Sequence, residues 1–238
     1  MPAPPAKTIP QPLRHLAVIV DGNRRWALQH DLPAITGYRT GGQRVLELLT
    51  WCDSIDEITT VTLWSLSTEN LRRGQSELAD LLSVITETTE KIAATQRWQV
   101  RLIGSLDRLP EETARSLRDS VHRTRHITGK VVNVAVAYGG RDEIARAVQS
   151  LVLARQAAGD LLRTVHPEEI GAHLDTAGQP DPDLVIRTAG EQRLSGFMPW
   201  QTAYSEFSFT SIPWPAFTHS DFLEALAWYR RRTRRYGT

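Results

Sequence analysis

Residues 16–25 read Leu16-Ala17-Val18-Ile19-Val20-Asp21-Gly22-Asn23-Arg24-Arg25. An apolar run, β-branched from Val18 to Val20, stops abruptly at a charged turn. So short and continuous an apolar run reads as a buried parallel strand that delivers a polar loop. In open parallel α/β folds, ligands sit beyond the carboxyl ends of the strands. Gly22 lets the backbone approach a ligand, and amides at the start of a following helix, near Arg24–Gln29, suit phosphate oxygens. Asp21 is a hard oxygen ligand of the kind Mg²⁺ takes, and Arg25 adds positive charge. The same residues also make an ordinary Asp-Gly turn that caps a helix. Taken alone, the stretch does not choose between these two readings.

Outward from it, strands and helices alternate. Helices are expected over 39–52, 76–96, Pro110–His126, Arg141–Ala157, Pro167–Leu174 and 219–235. Strands are expected over Val61–Leu66, Gln99–Ile103, Val131–Ala137, Leu184–Ile186 and Phe207–Phe209. Leu78, Leu81, Leu82, Ile85 and Ile92 keep to one broad face of the 76–96 helix. The pattern implies a single α/β domain over 14–238, with a mostly parallel central sheet flanked by helices. Residues 1–13, with five prolines in MPAPPAKTIPQP, read as a loose N-terminal arm.

The 238 residues suit one sizeable domain, and a net charge of +1 gives no broad footprint for nucleic acid. The basic residues are nearly all arginine, which offers phosphate a planar fork. Cys52 is the single cysteine, so no intrachain disulfide forms; this fits a reducing compartment, and a cytoplasmic location is expected. No apolar run approaches the ~20 residues of a membrane span. No Gly-x-x-x-x-Gly-Lys-Ser/Thr loop occurs, nor Gly-x-Gly-x-x-Gly after the first strand, which disfavours P-loop and dinucleotide folds. His122 and His126 share helical spacing without a third ligand, so a surface pair is the simpler account. The tail from Tyr229 to Arg235 reads as a basic helix end that complements its own dipole.

Three loops at strand ends carry groups suited to diphosphate: 21–25, 67–73 and 187–195. The second holds Ser67, Asn70, Arg72 and Arg73. The third packs Arg187, Thr188, Gly190, Arg193 and Ser195 into nine residues, an unusual density of phosphate donors. A fourth loop, 138–141, carries Tyr138-Gly139-Gly140.

The motifs go further. The run from His15 to Ala27 resembles the first signature of the cis-prenyltransferases, the family of undecaprenyl diphosphate synthase. Leu66-Ser-Thr-Glu-Asn-Leu-Arg-Arg73 is similar to its second, and Val134-Ala-Val-Ala-Tyr-Gly-Gly-Arg-Asp-Glu-Ile144 to its third. Asp183 to Ser195, followed by Trp200 to Glu206, resembles the last. The four occur in family order across residues 14–236. The resemblance implies a homodimer with a hydrophobic tunnel, Mg²⁺ as cofactor, and isopentenyl diphosphate and an allylic diphosphate as substrates. It further implies that Asp21 positions Mg²⁺ and assists departure of the allylic diphosphate. Gly22, Asn23, Arg24 and Arg25 would cradle that diphosphate, with Arg73 nearby. Trp26, Ser67, Thr68 and Glu69 would shape the site, and Asn70 would assist proton removal. Arg187, Arg193, Leu194 and Ser195 would hold isopentenyl diphosphate, and Glu206 would be a second metal carboxylate. A greasy substrate lets such an enzyme work transiently at a membrane surface.

This sequence departs from many long-chain members. Ala34 stands where they carry Arg, Tyr38 where they carry His, Leu71 where they carry Trp and Gln192 where they carry His. In these details it looks most like actinobacterial short-chain members, the Z,E-farnesyl diphosphate synthases, which implies a product of about C15 to C20. Ser65, Leu66, Leu81, Val84 and Ile85 are the candidates for the tunnel floor; the smallness of Ser65 argues the other way. A longer-chain synthase, an enzyme coupling or cyclising two allylic diphosphates, and a non-catalytic partner subunit are the rival readings.

Overall fold

In the computed structural model, which describes residues 12–232, the run before Asp21 is β1 (His15–Ile19), buried at every position. With β2 (Thr60–Trp64), β3 (Gln99–Ile103), β4 (Val131–Ala135), β5 (Leu184–Arg187) and β6 (Glu206–Phe209) it forms one sheet, in the order β3-β4-β2-β1-β5-β6. Every pairing is parallel, and β1 lies between β2 and β5. Leu16 stands opposite Val61 on one side and Leu184 on the other, and Ile19 opposite Trp64 and Arg187. The polar loops after β1, β2 and β5 therefore emerge together at one end of the sheet.

Helices cover both faces: α1 (Asn23–Gln29), α2 (Ala34–Asp53), α3 (Gln75–Ala94), α4 (Glu111–Thr124), α5 (Gly140–Ala158), α6 (Pro167–Gly171) and α7 (His219–Arg230). Successive side chains of a strand point to opposite faces, so Leu16 and Val18 enter the main core with Leu48, Leu81 and Ile85. Ala17 and Ile19 enter a smaller core with Tyr138, Phe197 and Met198. Two-sided burial explains the absence of polar alternation in β1. Cys52 is fully buried, and burial pushes its thiol up to about 12.

α2 begins at Ala34, five residues before the expected 39, with Pro33 as its N-cap. Gly37, Gly41 and Gly42 depress helix propensity and hide this start. They are there for contact: a Cβ on Gly37 would lie 2.2 Å from the Asn23 carbonyl oxygen, and one on Gly41 2.2 Å from Asn23 Oδ1. Only bare backbone lets α2 press so closely on the first loop. β2 and β4 end at Trp64 and Ala135, short of the expected 66 and 137; Leu66 still bonds to the backbone of Ala135 and Tyr138, beyond the regular register of the two strands. The expected 76–96, Pro110–His126 and Pro167–Leu174 helices stop at Ala94, Thr124 and Gly171. His126 thus falls beyond its helix, and it and His122 are both exposed. The loose-arm expectation for residues 1–11, and residues 233–235 of the expected last helix, lie outside the described residues.

Candidate active site

Asp21 leaves β1 on a loop held from three sides. Its amide donates to Thr188 Oγ1 at 3.0 Å, and the same hydroxyl donates back to the Asp21 carbonyl at 2.8 Å. The Trp214 amide reaches that carbonyl at 2.9 Å. Gly22 follows with φ of +98°, where an added Cβ would come within 2.9 Å of Ala189 and Pro213. A side chain there is excluded both by conformation and by space. The first motif is therefore built against the last.

The Asp21 carboxylate faces arginine on both oxygens. Arg187 Nη2 is 3.0 Å from Oδ2, and Arg25 Nη2 is 3.5 Å from Oδ1. Arg187 is buried, and its Nη1 donates to the Arg193 carbonyl and, at 2.8 Å, to Ser195 Oγ. Arg187 Nε is buried without a partner. Ala189 and Ser195, neither of them glycine, take φ of +69° and +51° in this loop. Such conformations cost energy and collect at functional sites.

Across the opening, Arg24 Nη1 and Arg73 Nη1 lie 3.3 and 3.2 Å from one oxygen of Glu77. Tyr38 donates its hydroxyl to that same oxygen at 2.7 Å and accepts from Arg73 Nη1 at 2.9 Å. Burial, reinforced by the Glu77 hydrogen bond, pushes the Tyr38 phenol up to about 12. The Tyr38 hydrogen bond, helped by the two arginines, holds the Glu77 carboxyl below its ordinary range. Glu77 thus stays charged and holds two cations at the rim.

Between these groups lies a cavity of about 440 Å³, within the size range of small-molecule sites. Asp21, Gly22, Asn23, Arg24, Arg25, Ser67, Glu69, Asn70, Arg73, Arg187 and Ser195 all line it. Ile19, Val20, Leu66 and Leu81 give it an apolar side. Asn70 sits in a short 3₁₀ turn, Glu69–Arg72, and its amide donates to Ser67 Oγ at 3.2 Å. Asn23 donates from Nδ2 to the Val20 carbonyl, while its Oδ1 is buried without a partner.

Other expected site residues stand further off. Trp26 packs its ring on His30 at 4.4 Å, and the backbone of Thr68 donates to Tyr138. Arg193 is exposed and pairs with Glu191 at 2.5 Å, offering its carbonyl rather than its side chain to Arg187. Leu194 packs on the smaller core. None of these four lines the cavity. Glu206 requires a correction. It stands opposite Leu184 at the start of β6, three residues below the level of Arg187, and pairs with Arg232 at 2.9 Å. Three residues of strand span about 10 Å, and Asp21 lies further on still. Within one chain, Glu206 and Asp21 cannot share an ion.

Sequence reasoning missed Glu77 and Trp214, and read Thr188 as a phosphate donor where its hydroxyl instead holds the Asp21 backbone. Ser76 and Glu77 read simply as a helix start, and no local pattern announces that Glu77 folds back on Tyr38 and Arg24. Among the described residues, no group of three or more His, Cys, Asp or Glu could hold a metal ion. Asp21 at the cavity, with Glu69 also on its lining, still fits Mg²⁺, which keeps several waters and binds through one or two carboxylates plus substrate phosphates. No helix of the described residues is long and apolar enough to cross a membrane.

Comparison with known proteins agrees with this geometry. Residues 19–237 match the family model described as "Putative undecaprenyl diphosphate synthase". The chain is 49% identical to isoprenyl transferase 1 of Streptomyces avermitilis, over 94% of this chain and 88% of the relative. It is 50% identical to (2Z,6E)-farnesyl diphosphate synthase of Mycobacterium tuberculosis, over 94% and 87%. Among solved structures it resembles lavandulyl diphosphate synthase from Lavandula x intermedia in complex with dimethylallyl diphosphate. The TM-score is 0.88 at 33% identity, covering 94% of this chain and 98% of that one. A parallel sheet that opens three arginine-bearing loops over one cavity, and relatives matched along almost the whole chain, lead to one conclusion: the chain belongs to the undecaprenyl diphosphate synthase family of cis-prenyltransferases.

Proposed function

We propose that this chain condenses isopentenyl diphosphate with an allylic diphosphate, geranyl or farnesyl diphosphate, to give a short Z-configured product such as Z,E-farnesyl diphosphate. One observation carries the reading. Two arginine-bearing half-sites, Arg24, Arg25 and Arg73 on one side and Arg187 with Ser195 on the other, line the same cavity, with Asp21 between them. Two diphosphates need two such half-sites, and their hydrocarbon ends need the apolar wall between.

The allylic C–O bond breaks with its electron pair leaving on the diphosphate. The isopentenyl double bond supplies the pair that forms the new C–C bond, and loss of a proton restores a double bond in Z geometry. Arg24, Arg25 and Arg73 stabilise the negative charge that develops on the departing group. Ile19, Val20, Leu66 and Leu81 keep water from the cation. Asp21 would hold Mg²⁺ together with diphosphate oxygens, the metal supplying Lewis-acid neutralisation of the leaving group when bound. Arg187, fixed on the Arg193 carbonyl and Ser195, orients isopentenyl diphosphate. Asn70 is a weak base; it orients the isopentenyl group while a diphosphate oxygen takes the proton. Glu206 enters this scheme only from a second copy of the chain, so its metal role and the expected homodimer stand together. Work in the cytoplasm with transient contact at a membrane surface fits so hydrophobic a product.

Incubation with labelled isopentenyl diphosphate and geranyl or farnesyl diphosphate tests the reading. Short Z products are expected; a ladder centred on C50 or longer would overturn the chain-length part (each condensation adds one five-carbon unit). Asp21→Ala should abolish turnover with the fold intact, and near-normal rates at saturating Mg²⁺ would contradict its assignment. The likeness to lavandulyl diphosphate synthase favours testing a second reading, coupling of two allylic units. Product from dimethylallyl diphosphate alone would establish it.

A further inference from the structure

Beneath the substrate cavity a second lobe of about 50 Å³ runs between α2, α3 and the sheet. It shares Val20, Asn23, Tyr38, Ser65 and Leu81 with the cavity above, so the two adjoin. A water's share of liquid volume is about 30 Å³, so the lobe is short. It ends at Ile92, which is 1% exposed. Beyond Ile92, the same two helices enclose a groove of about 380 Å³, lined by Leu46, Leu49 and Trp98 and reaching the surface at Lys91 and Arg97. Among the described residues, Ile92 alone lines both spaces.

Val84 and Ile85 line the lobe two turns of α3 before Ile92, and neither borders the outer groove; three other walls are poor stops. Ser65 is small, and Leu81 stands at the mouth of the lobe, eleven residues before Ile92 and about 16 Å from it along the helix axis. Thr89 turns its hydroxyl back to the Ile85 carbonyl at 2.8 Å and so presents no free donor to a hydrocarbon chain. We infer that Ile92 is the wall that ends the growing chain, a specificity-determining side chain separating a closed lobe from an outer groove already large enough to take further isoprene units. This inference rests on the prenyl-transfer reading above.

Wild type, Ile92→Ala and Ile92→Val are incubated with geranyl diphosphate and excess isopentenyl diphosphate, and product lengths are read by mass spectrometry. Wild type should give the short product. Ile92→Ala should lengthen the main product by at least one isoprene unit, and Ile92→Val by less, with first-condensation rates kept within about threefold. Adding Thr95→Trp, which fills the outer groove, should restore the short product. Ile92→Ala turning over with wild-type lengths would overturn the inference, as would lengthening that Thr95→Trp leaves untouched. Should the alanine variant not fold, Ile92→Val decides, unchanged length at intact turnover counting against the wall. A wild type that makes no product at all rejects the prenyl-transfer reading instead.

Discussion

Arg187 spends its guanidinium on Asp21, Ser195 and the Arg193 carbonyl while keeping Nε free and buried. A lysine supplies one point charge and cannot reproduce that fork. Arg187→Lys is therefore expected to raise KM for isopentenyl diphosphate by roughly 10- to 100-fold, the equivalent of one or two charge-assisted hydrogen bonds. Steady-state kinetics in that substrate checks it. Tyr38 acts at the other half-site. Its hydroxyl links Glu77 to Arg73, and Tyr38→Phe removes both bonds while leaving the ring in place. KM for the allylic diphosphate should rise about fivefold with little change in kcat, a loss of roughly 1 kcal/mol. An unchanged KM would show that Glu77 holds the rim arginines without it.

Among the elements, α2 is held at both ends by residues far away in sequence. In its first half, Gly41 lies under Asn23, and its carbonyl accepts a hydrogen bond from Trp214 Nε1 at 2.9 Å. Gly41→Ala would push a methyl into Asn23 and should cost roughly 1–3 kcal/mol of stability, read by urea denaturation, together with most of the activity. At its end, Lys130 donates to the carbonyls of Cys52, Asp53 and Ile55 and lies over the Trp98 ring. Lys130→Met should cost about 1–3 kcal/mol by removing a charged donor shared by those three carbonyls, with kinetics unchanged in the folded fraction. Strands were legible where burial on both faces writes an unbroken apolar run, as in β1 and in Leu184–Ile186 of β5. The first five residues of α2 were not, since a helix that carries glycine for close packing loses the propensity signal that would announce it. The site was legible where a motif sits directly on a strand end, at Asp21 and Arg187. Glu77 and Trp214 arrive through tertiary contact, and Glu206, at the amino end of β6, lies away from the cavity of its own chain.

For the molecule as a whole, a neutral histidine ties the far end of the sheet together. His15 is fully buried between the Pro180 carbonyl and Thr62 Oγ1, both at 2.7 Å. Burial lowers its pKa from 6.5 to about 4. The unfolded chain takes up a proton at His15 as pH falls below 6.5, whereas the folded chain resists until about 4. Stability should therefore drop across that window by on the order of 3 kcal/mol and level off below it. Denaturant midpoints of wild type and His15→Gln between pH 7 and 4 check this, the variant losing the histidine's share of the slope. The Thr188 hydroxyl that grips both ends of the Asp21 peptide has a different consequence. The two partners are 167 residues apart in the chain. Parallel pairings of such separation close late and slowly, because the loop entropy must be spent before the contact returns anything. Refolding should thus recover helical signal before it recovers turnover. A nascent chain that has emerged only as far as β4 has its first motif complete in sequence and still nothing to hold it in place.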